Sequence, residues 1–457
     1  MLTKTRRETL AILWGAAGLT AVPAYAATDV AAAYKDLLYG DERDYLKAIA
    51  VLRAQGGLEL IAGMIFAMRF TRQDDAPLIA AMQAIAGTTE PDDWFKWMLW
   101  QEKNPDVVPH QTYEALKRTL FLRIDANFDV FLKERHLGRE AAKIRFEEVT
   151  WGGVRKDGIP SLDNPELIAG DKADYLVGSD LVFGVAINGD VRAYPLRSMG
   201  WHEMFNDVIG GVPLALAYCT LCGSGILFET NVEGRNKPFV FGSSGFLYRS
   251  NKLMFDRETH TLWNQFTGQP VMGPLADSGI ELTQRPVVIE PWVRWFERNP
   301  QTRVLSLRTG HDRDYGSGVV YDKYFQSPNL MFPAAVDQTK LKQKDYVFGI
   351  RAFGGAKAWP VTAFEGGRVI NDRLVDTNLV LIGDRLGRSV RAYDRGDRVF
   401  GPGESPTQLR SGIETWKVTE EALIGPDEQT APRIAGHVAY WFAWDGYLGV
   451  RSEFYGD

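Results

Sequence analysis

An internal near-repeat constrains this chain more than any other feature. The segment VFGVAINGDVRAYP begins at Val182, and VFGIRAFGGAKAWP begins at Val347. Val, Phe, Gly, Ala and Pro coincide without a gap, at a fixed offset of 165 residues. At the same offset Asn206-Asp207 meets Asn371-Asp372, and Leu214 and Leu216 meet Leu379 and Leu381. NPEL at 164 resembles SPNL at 327, and WVRWFERNP at 292 faintly resembles AYWFAWDGY at 439. Self-similarity of this kind predicts two copies of one folding unit, over 144–310 and 311–457.

The local pattern makes each unit β-rich. Val182 to Ile187 and Val191 to Tyr194 are apolar runs flanking Asn188-Gly189, a strong hairpin signal. Strand-like runs continue at Leu214 to Tyr218, Ile226 to Phe228 and Leu253 to Phe255. Residues 27–143 read differently. Leu46, Ile49 and Leu52 share a helical face, Asp75 and Pro77 open another helix, and Trp94, Trp97 and Met98 follow Asp92-Asp93. Leu116, Leu120, Phe121 and Ile124 form a further stripe. The expected fold is therefore α+β: an N-terminal helical array followed by two related β-rich units. The Trp-rich helical face reads as core, and the array is a candidate surface for a protein partner.

The first 26 residues read as a signal peptide. Lys4, Arg6 and Arg7 precede an apolar run from Leu10 to Val22, too short to span a bilayer. Ala24-Tyr25-Ala26 fits a cleavage site, and Thr5-Arg6-Arg7-Glu8-Thr9-Leu10 resembles a twin-arginine signal, with Thr9 where an aromatic is usual. The expected location is periplasmic or extracellular. Removing this segment takes a net +2 from the formal charge of −6 and leaves about −8. An acidic chain of this kind does not read as a nucleic-acid binder, and no later segment reads as membrane-spanning.

The chemistry concentrates in AYCTLCGSGIL, which holds both cysteines of the chain, Cys219 and Cys222. At the repeat offset they fall on Asp384 and Gly387, and His202 falls on Gly367. Scaffold residues recur while the thiols and the imidazole do not, so the site is expected in the first unit alone. The second unit is expected to be structural or to cover the site.

A thioredoxin-type pair opens a helix, but strands flank this one. Three readings stay open. Cys-x-x-Cys-Gly on a strand turn suits a metal knuckle, with His202 as the third ligand and zinc or copper as the metal; His260 is a weaker candidate. A thiol-dependent enzyme or redox protein would use Cys219 as nucleophile, His202 as base and Glu203 as orienter. A small disulfide or a non-catalytic scaffold is the third. His110, His136, His311 and His437 lack supporting context. The short return path through Gly210-Gly211, with a five-residue strand covering about 16 Å, leads us to expect Cys219, Cys222 and His202 in one pocket. Asp256, Arg257 and Glu258 read as a solvated hairpin turn with an ion pair. No P-loop, dinucleotide fingerprint, EF-hand or zincin helix occurs.

Taken together, GIPSLDNP, VRAYPLRSMGWHEMFND, YCTLCGSG, FGSSGFLYRSNKLMFDRETHTLW and VMGPLADSGIEL resemble the family called domain of unknown function 3179, over about 150–450. The matching positions are Arg192, Tyr194, Pro195, Trp201, His202, Glu203, Asn206, Asp207, Cys219, Cys222, Gly223, Asp256, Arg257 and Trp263. The resemblance implies no activity. It implies that the second cysteine position can carry threonine in relatives, which makes Cys219 the thiol to follow. The N-terminal helices lie outside it.

Overall fold

The computed structural model describes residues 27–456; the signal segment lies outside the described residues. Six helices come first: α1 Ala27–Tyr39, α2 Glu42–Gln55, α3 Ile61–Met68, α4 Ala76–Ala86, α5 Trp94–Lys103 and α6 Tyr113–Ile124. Local chemistry sets their ends. Asp93 caps α5 by accepting from Lys96 N at 2.7 Å. Pro77 sits in the first turn of α4, but Asp74 rather than Asp75 accepts from Ala76 N. On α2 the buried face is Tyr45, Ala48, Ile49 and Leu52. Leu46 is exposed, because it lies about 100° around the helix from Tyr45. Trp97 is core, as its spacing suggested.

The rest of the chain is β-rich. In the first part we label β1 Val149–Trp151, β2 Leu181–Ile187, β3 Asp190–Pro195, α7 Leu196–His202, β4 Met204–Ile209, β5 Val212–Cys219, β6 Ser224–Glu229, β7 Phe241–Tyr248, β8 Asn251–Asp256, β9 Val288–Pro291, α8 Trp292–Arg298 and β10 Arg303–Leu305. After the short α9 Asp322–Gln326 come β11 Tyr346–Ala352, β12 Gly355–Pro360, β13 Val369–Leu374, β14 Thr377–Asp384, β15 Ser389–Asp394, β16 His437–Tyr440, α10 Trp441–Leu448 and β17 Glu453–Phe454.

Two sheets share one strand order. One runs β9-β2-β3-β10, with Leu167–Ala169 added at its edge; the other runs β16-β11-β12-β17. In both, the last-named pairing is the parallel one, between Val304 and Ala193 and between Phe454 and Ala358. In both, a glycine lies beneath a tryptophan: a Cβ on Gly184 would overlap Trp295, and one on Gly349 would overlap Trp444. Asn188-Gly189 closes the first hairpin with both residues at positive φ, and Phe353-Gly354 closes the second the same way.

The strands that follow also match in contacts. Asp207 accepts from Arg192 (2.6 Å) and Tyr194 OH (2.9 Å). Asp372 accepts from Lys357 (3.0 Å) and Trp359 Nε1 (2.8 Å). Asn206 clamps the backbone of Phe241 through both its amide atoms, and Asn371 clamps Phe400 likewise. They differ in surroundings. β4-β5-β6 is completed by two short strands, whereas β13-β14-β15 belongs to an eight-stranded sheet.

The hydrophobic cores cross the expected boundaries. One cluster joins Phe66 and Phe121 of the helices to Phe246, Cys219 and Trp444. A second joins Phe183 and Tyr218 to Phe348 and Trp359. Among the described residues no helix is long and apolar enough to cross a membrane.

Candidate functional site

The cysteines sit on the turn between β5 and β6, the strand-to-strand turn expected for them. Cys219 pairs with Ser224 across the hairpin. Cys222 N donates to Cys219 O (3.1 Å), and Gly223 N to Thr220 O (3.3 Å). Gly223 takes the left-handed bend at φ +60°, and the Tyr346 and Tyr440 rings lie where its side chain would begin. This close approach ties the turn to β11 and β16.

Both thiols are free, and they are 2% and 0% exposed. Cys222 directs its S–H at Asn251 Oδ1 (3.2 Å) and Ser250 O (3.4 Å). Burial above all, then the neighbouring Cys219 and the Glu203 carboxylate, push the Cys222 thiol well above its usual range. It therefore holds its proton. Its Ser250 acceptor lies in a two-residue turn, Arg249-Ser250, in which both residues adopt positive φ without being glycine or asparagine. Strain of this kind persists only where surrounding contacts over-determine it. Here Ser250 Oγ donates to Pro333 O (3.1 Å), and Arg249 pairs with Glu148 (2.7 Å).

Glu203 joins the cysteine turn. It ends α7 in the left-handed conformation (φ +53°), and its N–H caps Met199 O. Its carboxylate accepts from Thr220 Oγ1 (2.9 Å) and Tyr321 OH (3.3 Å). Lys252 Nζ lies 3.3 Å from Glu203 Oε2, and both side chains are buried. Tyr324 OH donates to Leu221 O (2.7 Å) within the turn itself.

His202 does not direct its ring to the thiols. One ring nitrogen, Nδ1, lies 2.9 Å from Pro160 O, which can only accept, so Nδ1 carries the proton. The other, Nε2, then accepts from Tyr315 OH at 2.6 Å. The ring is buried, which pulls it down to about 4, so it is neutral. The left-handed residue after it is what separates neighbours: Glu203 goes to the cysteine turn, His202 to the covering segment 309–321. The expected single pocket of two thiols and this imidazole is therefore replaced by two thiols, a carboxylate and an ammonium.

His260 belongs to a different turn, at φ +57°. That turn is only partly solvated: Glu258 is exposed, whereas Asp256 is not. Asp256 is fully buried and accepts from Thr259 N (2.6 Å), Thr259 Oγ1 (2.7 Å) and Trp263 Nε1 (3.0 Å). Its ion pairs run outward rather than within the turn, from Arg257 to Asp157 at 3.1 Å and from Glu258 to Arg235 at 2.5 Å. Among the described residues, no three His, Cys, Asp or Glu side chains gather as a metal would need.

The family model described as "Protein of unknown function (DUF3179)" matches residues 156–450. The chain belongs to this family. No curated protein and no solved structure matches it. The DUF3179 match takes in the whole cysteine turn and its cover, and it leaves helices α1 to α6 outside. Of the DUF3179-like positions quoted above, Arg192, Tyr194, Asn206, Asp207 and Asp256 act in the scaffold, while Glu203, Cys219 and Cys222 meet at the turn.

The sequence reading missed Asn251, Lys252, Tyr321 and Tyr324. Asn251 and Lys252 carry a signal in hindsight: two strongly polar residues directly precede the apolar run Leu253 to Phe255. Tyr321 and Tyr324 carry none, since they reach the turn from about 100 residues away.

Proposed function

We propose that Cys219 and Cys222 work as a buried dithiol–disulfide couple in an exported protein. The observation that carries this reading is that both free, buried cysteines share one turn, with Cys222 N donating to Cys219 O at 3.1 Å. Formation of the disulfide releases two electrons and two protons. The Glu203–Lys252 pair lies beside the turn. A three-residue spacing can close a disulfide at ordinary Cα separations. Export to an oxidising compartment supplies conditions in which such a couple cycles.

A second reading is metal binding or transfer. It is favoured by the positive φ of Gly223, which a knuckle requires, and by the two sulfurs lying together. Four-ligand zinc does not fit, because His202 has both nitrogens engaged. Two thiolates alone suit Cu(I). No step is assigned to a metal.

Equilibration of the anaerobically reduced chain in dithiothreitol redox buffers, with thiols counted by alkylation and mass, tests the first reading. A single two-electron transition, lost in Cys219→Ser and Cys222→Ser, is expected. Stoichiometric copper in the same preparation, lost with either substitution and without any such transition, would move the assignment to the second.

Two further proposals complete the picture. The two β units are copies of one ancestral unit; their matching strand orders and side-chain clamps support this. The first 26 residues direct export. N-terminal sequencing of the secreted chain should then begin near Ala27, and an intact Met1 on exported protein would refute cleavage.

A further inference from the structure

A dithiol–disulfide couple needs an oxidant, and the surroundings of the thiols speak to its size and polarity. Of the fifteen buried side-chain atoms without a hydrogen-bond partner among the described residues, three lie on or beside this turn: Ser224 Oγ, Asn251 Nδ2 and Gln265 Oε1. Their residues are each 0% exposed. All three are attached to the cysteine turn. Ser224 pairs with Cys219. Asn251 accepts the Cys222 S–H. Gln265 Nε2 donates to Ala217 O at 2.8 Å and reaches Ser224 O at 3.4 Å.

An unpaired buried polar atom costs roughly 1–3 kcal/mol, and native proteins hold few of them. Three around one pair of thiols mark a place that a small polar molecule completes. Asn251 offers N–H, Ser224 offers a hydroxyl and Gln265 offers a carbonyl, so that molecule both accepts and donates. With thiols at 2% and 0% exposure, a protein disulfide cannot meet either sulfur while the turn stays folded. Tyr447 lines a groove with Tyr248 and Asn264. Its hydroxyl is fixed to Tyr248 O at 2.7 Å.

We propose that the oxidant is a small hydroperoxide, with hydrogen peroxide the smallest of the class, bound by Ser224, Asn251 and Gln265 beside the thiols. This rests on the dithiol–disulfide reading. Cys219 is the attacking thiol, because Cys222 carries the S–H anchored on Asn251 and Ser250. Cys219 attacks one peroxide oxygen. An S–O bond forms as the O–O bond breaks, and the departing hydroxide takes the Cys219 proton and leaves as water. Cys222 then attacks the Cys219 sulfur; the S–S bond forms, the S–O bond breaks, and the second hydroxide takes the Cys222 proton and leaves as water. Two thiols become one disulfide, and one peroxide becomes two waters.

The test mixes the reduced, desalted full chain with hydrogen peroxide, and in parallel with diamide, and counts thiols over time. One peroxide should consume both thiols, at a rate at least about 100-fold above free cysteine at the same pH, the scale expected of positioned hydrogen-bond groups. Cys222→Ser should stop at a sulfenic acid on Cys219 that dimedone traps. Gln265→Leu, confirmed folded by circular dichroism, should slow the peroxide reaction by about 10-fold or more. If diamide closes the disulfide while peroxide reacts no faster than with free cysteine, the hydroperoxide assignment is overturned and the couple stands. If the dithiothreitol redox buffers also show no two-electron transition, the couple falls with it. The wild-type comparison decides between these without any variant.

Discussion

Arg391 of the second unit and Glu290 of the first lie 2.7 Å apart, Nη2 to Oε2, with both side chains buried. Glu420 accepts from the same guanidinium at 2.7 Å and from Arg433 at 2.5 Å. The two β units are thus joined by charge as well as by their shared apolar core.

Removing one partner of such a network strands the others. Arg391→Met should lose about 3–5 kcal/mol of stability in urea denaturation, the range for breaking a buried ion pair. The cause is that Glu290 and Glu420 would remain buried with less compensating charge. A loss below about 1 kcal/mol would mean that Arg298 and Arg433 carry the network without Arg391.

The Glu203–Lys252 pair invites a double-mutant cycle. Lys252→Met leaves the buried Glu203 carboxylate with only hydroxyl partners, and should destabilise by about 3–5 kcal/mol. Adding Glu203→Gln removes that stranded charge and should restore part of the loss. Additive single effects would show that the two side chains do not interact.

Acid should weaken the fold through its histidines before its carboxylates. Burial holds His202 at about 4 and His437 at about 3, below the ordinary 6.5. Between pH 6.5 and those values the unfolded chain binds protons that the folded chain refuses. Stability is therefore full above pH 6.5 and falls as pH drops toward 4. Burial pushes Glu420 up, yet Arg391 and Arg433 outweigh it and hold it at about 2, so its contribution is lost only at lower pH. In denaturation curves from pH 7 to 4.5, His202→Gln should reduce proton uptake on unfolding by up to about one. An unchanged slope would place His202 outside the linkage.

Phe353 occupies the turn position that Asn188 holds in the first hairpin, at φ +56° against +49°. It is also 46% exposed. Asparagine tolerates this conformation better than a bulky residue does, and the left-handed region costs roughly 1–2 kcal/mol for ordinary side chains. Phe353→Asn should therefore stabilise the chain by about 1 kcal/mol in urea denaturation. A loss of stability would mean that the ring's contacts outweigh the strain.

Much of the local structure was legible in the sequence because it depends on neighbours in the chain. Asn188-Gly189 specified a hairpin, Asp93 a helix start, and the apolar strands around Cys219 and Cys222 a turn rather than a helix. The matching segments at Val182 and Val347 did form matching hairpins. The site was only partly legible. The cysteines marked its position, and Glu203 was named, but as an orienter of His202.

What tertiary structure decided was who faces whom. One left-handed residue at the end of α7 sends Glu203 to the cysteine turn and leaves His202 with Tyr315. Asn251, Lys252 and Tyr321 arrive from strands and loops about 30–100 residues away. Spacing along the chain fixes the period of a helix or strand and the type of a turn, because those are set within a few residues. It does not fix which distant side chain fills a buried gap, because packing and desolvation act on the folded whole.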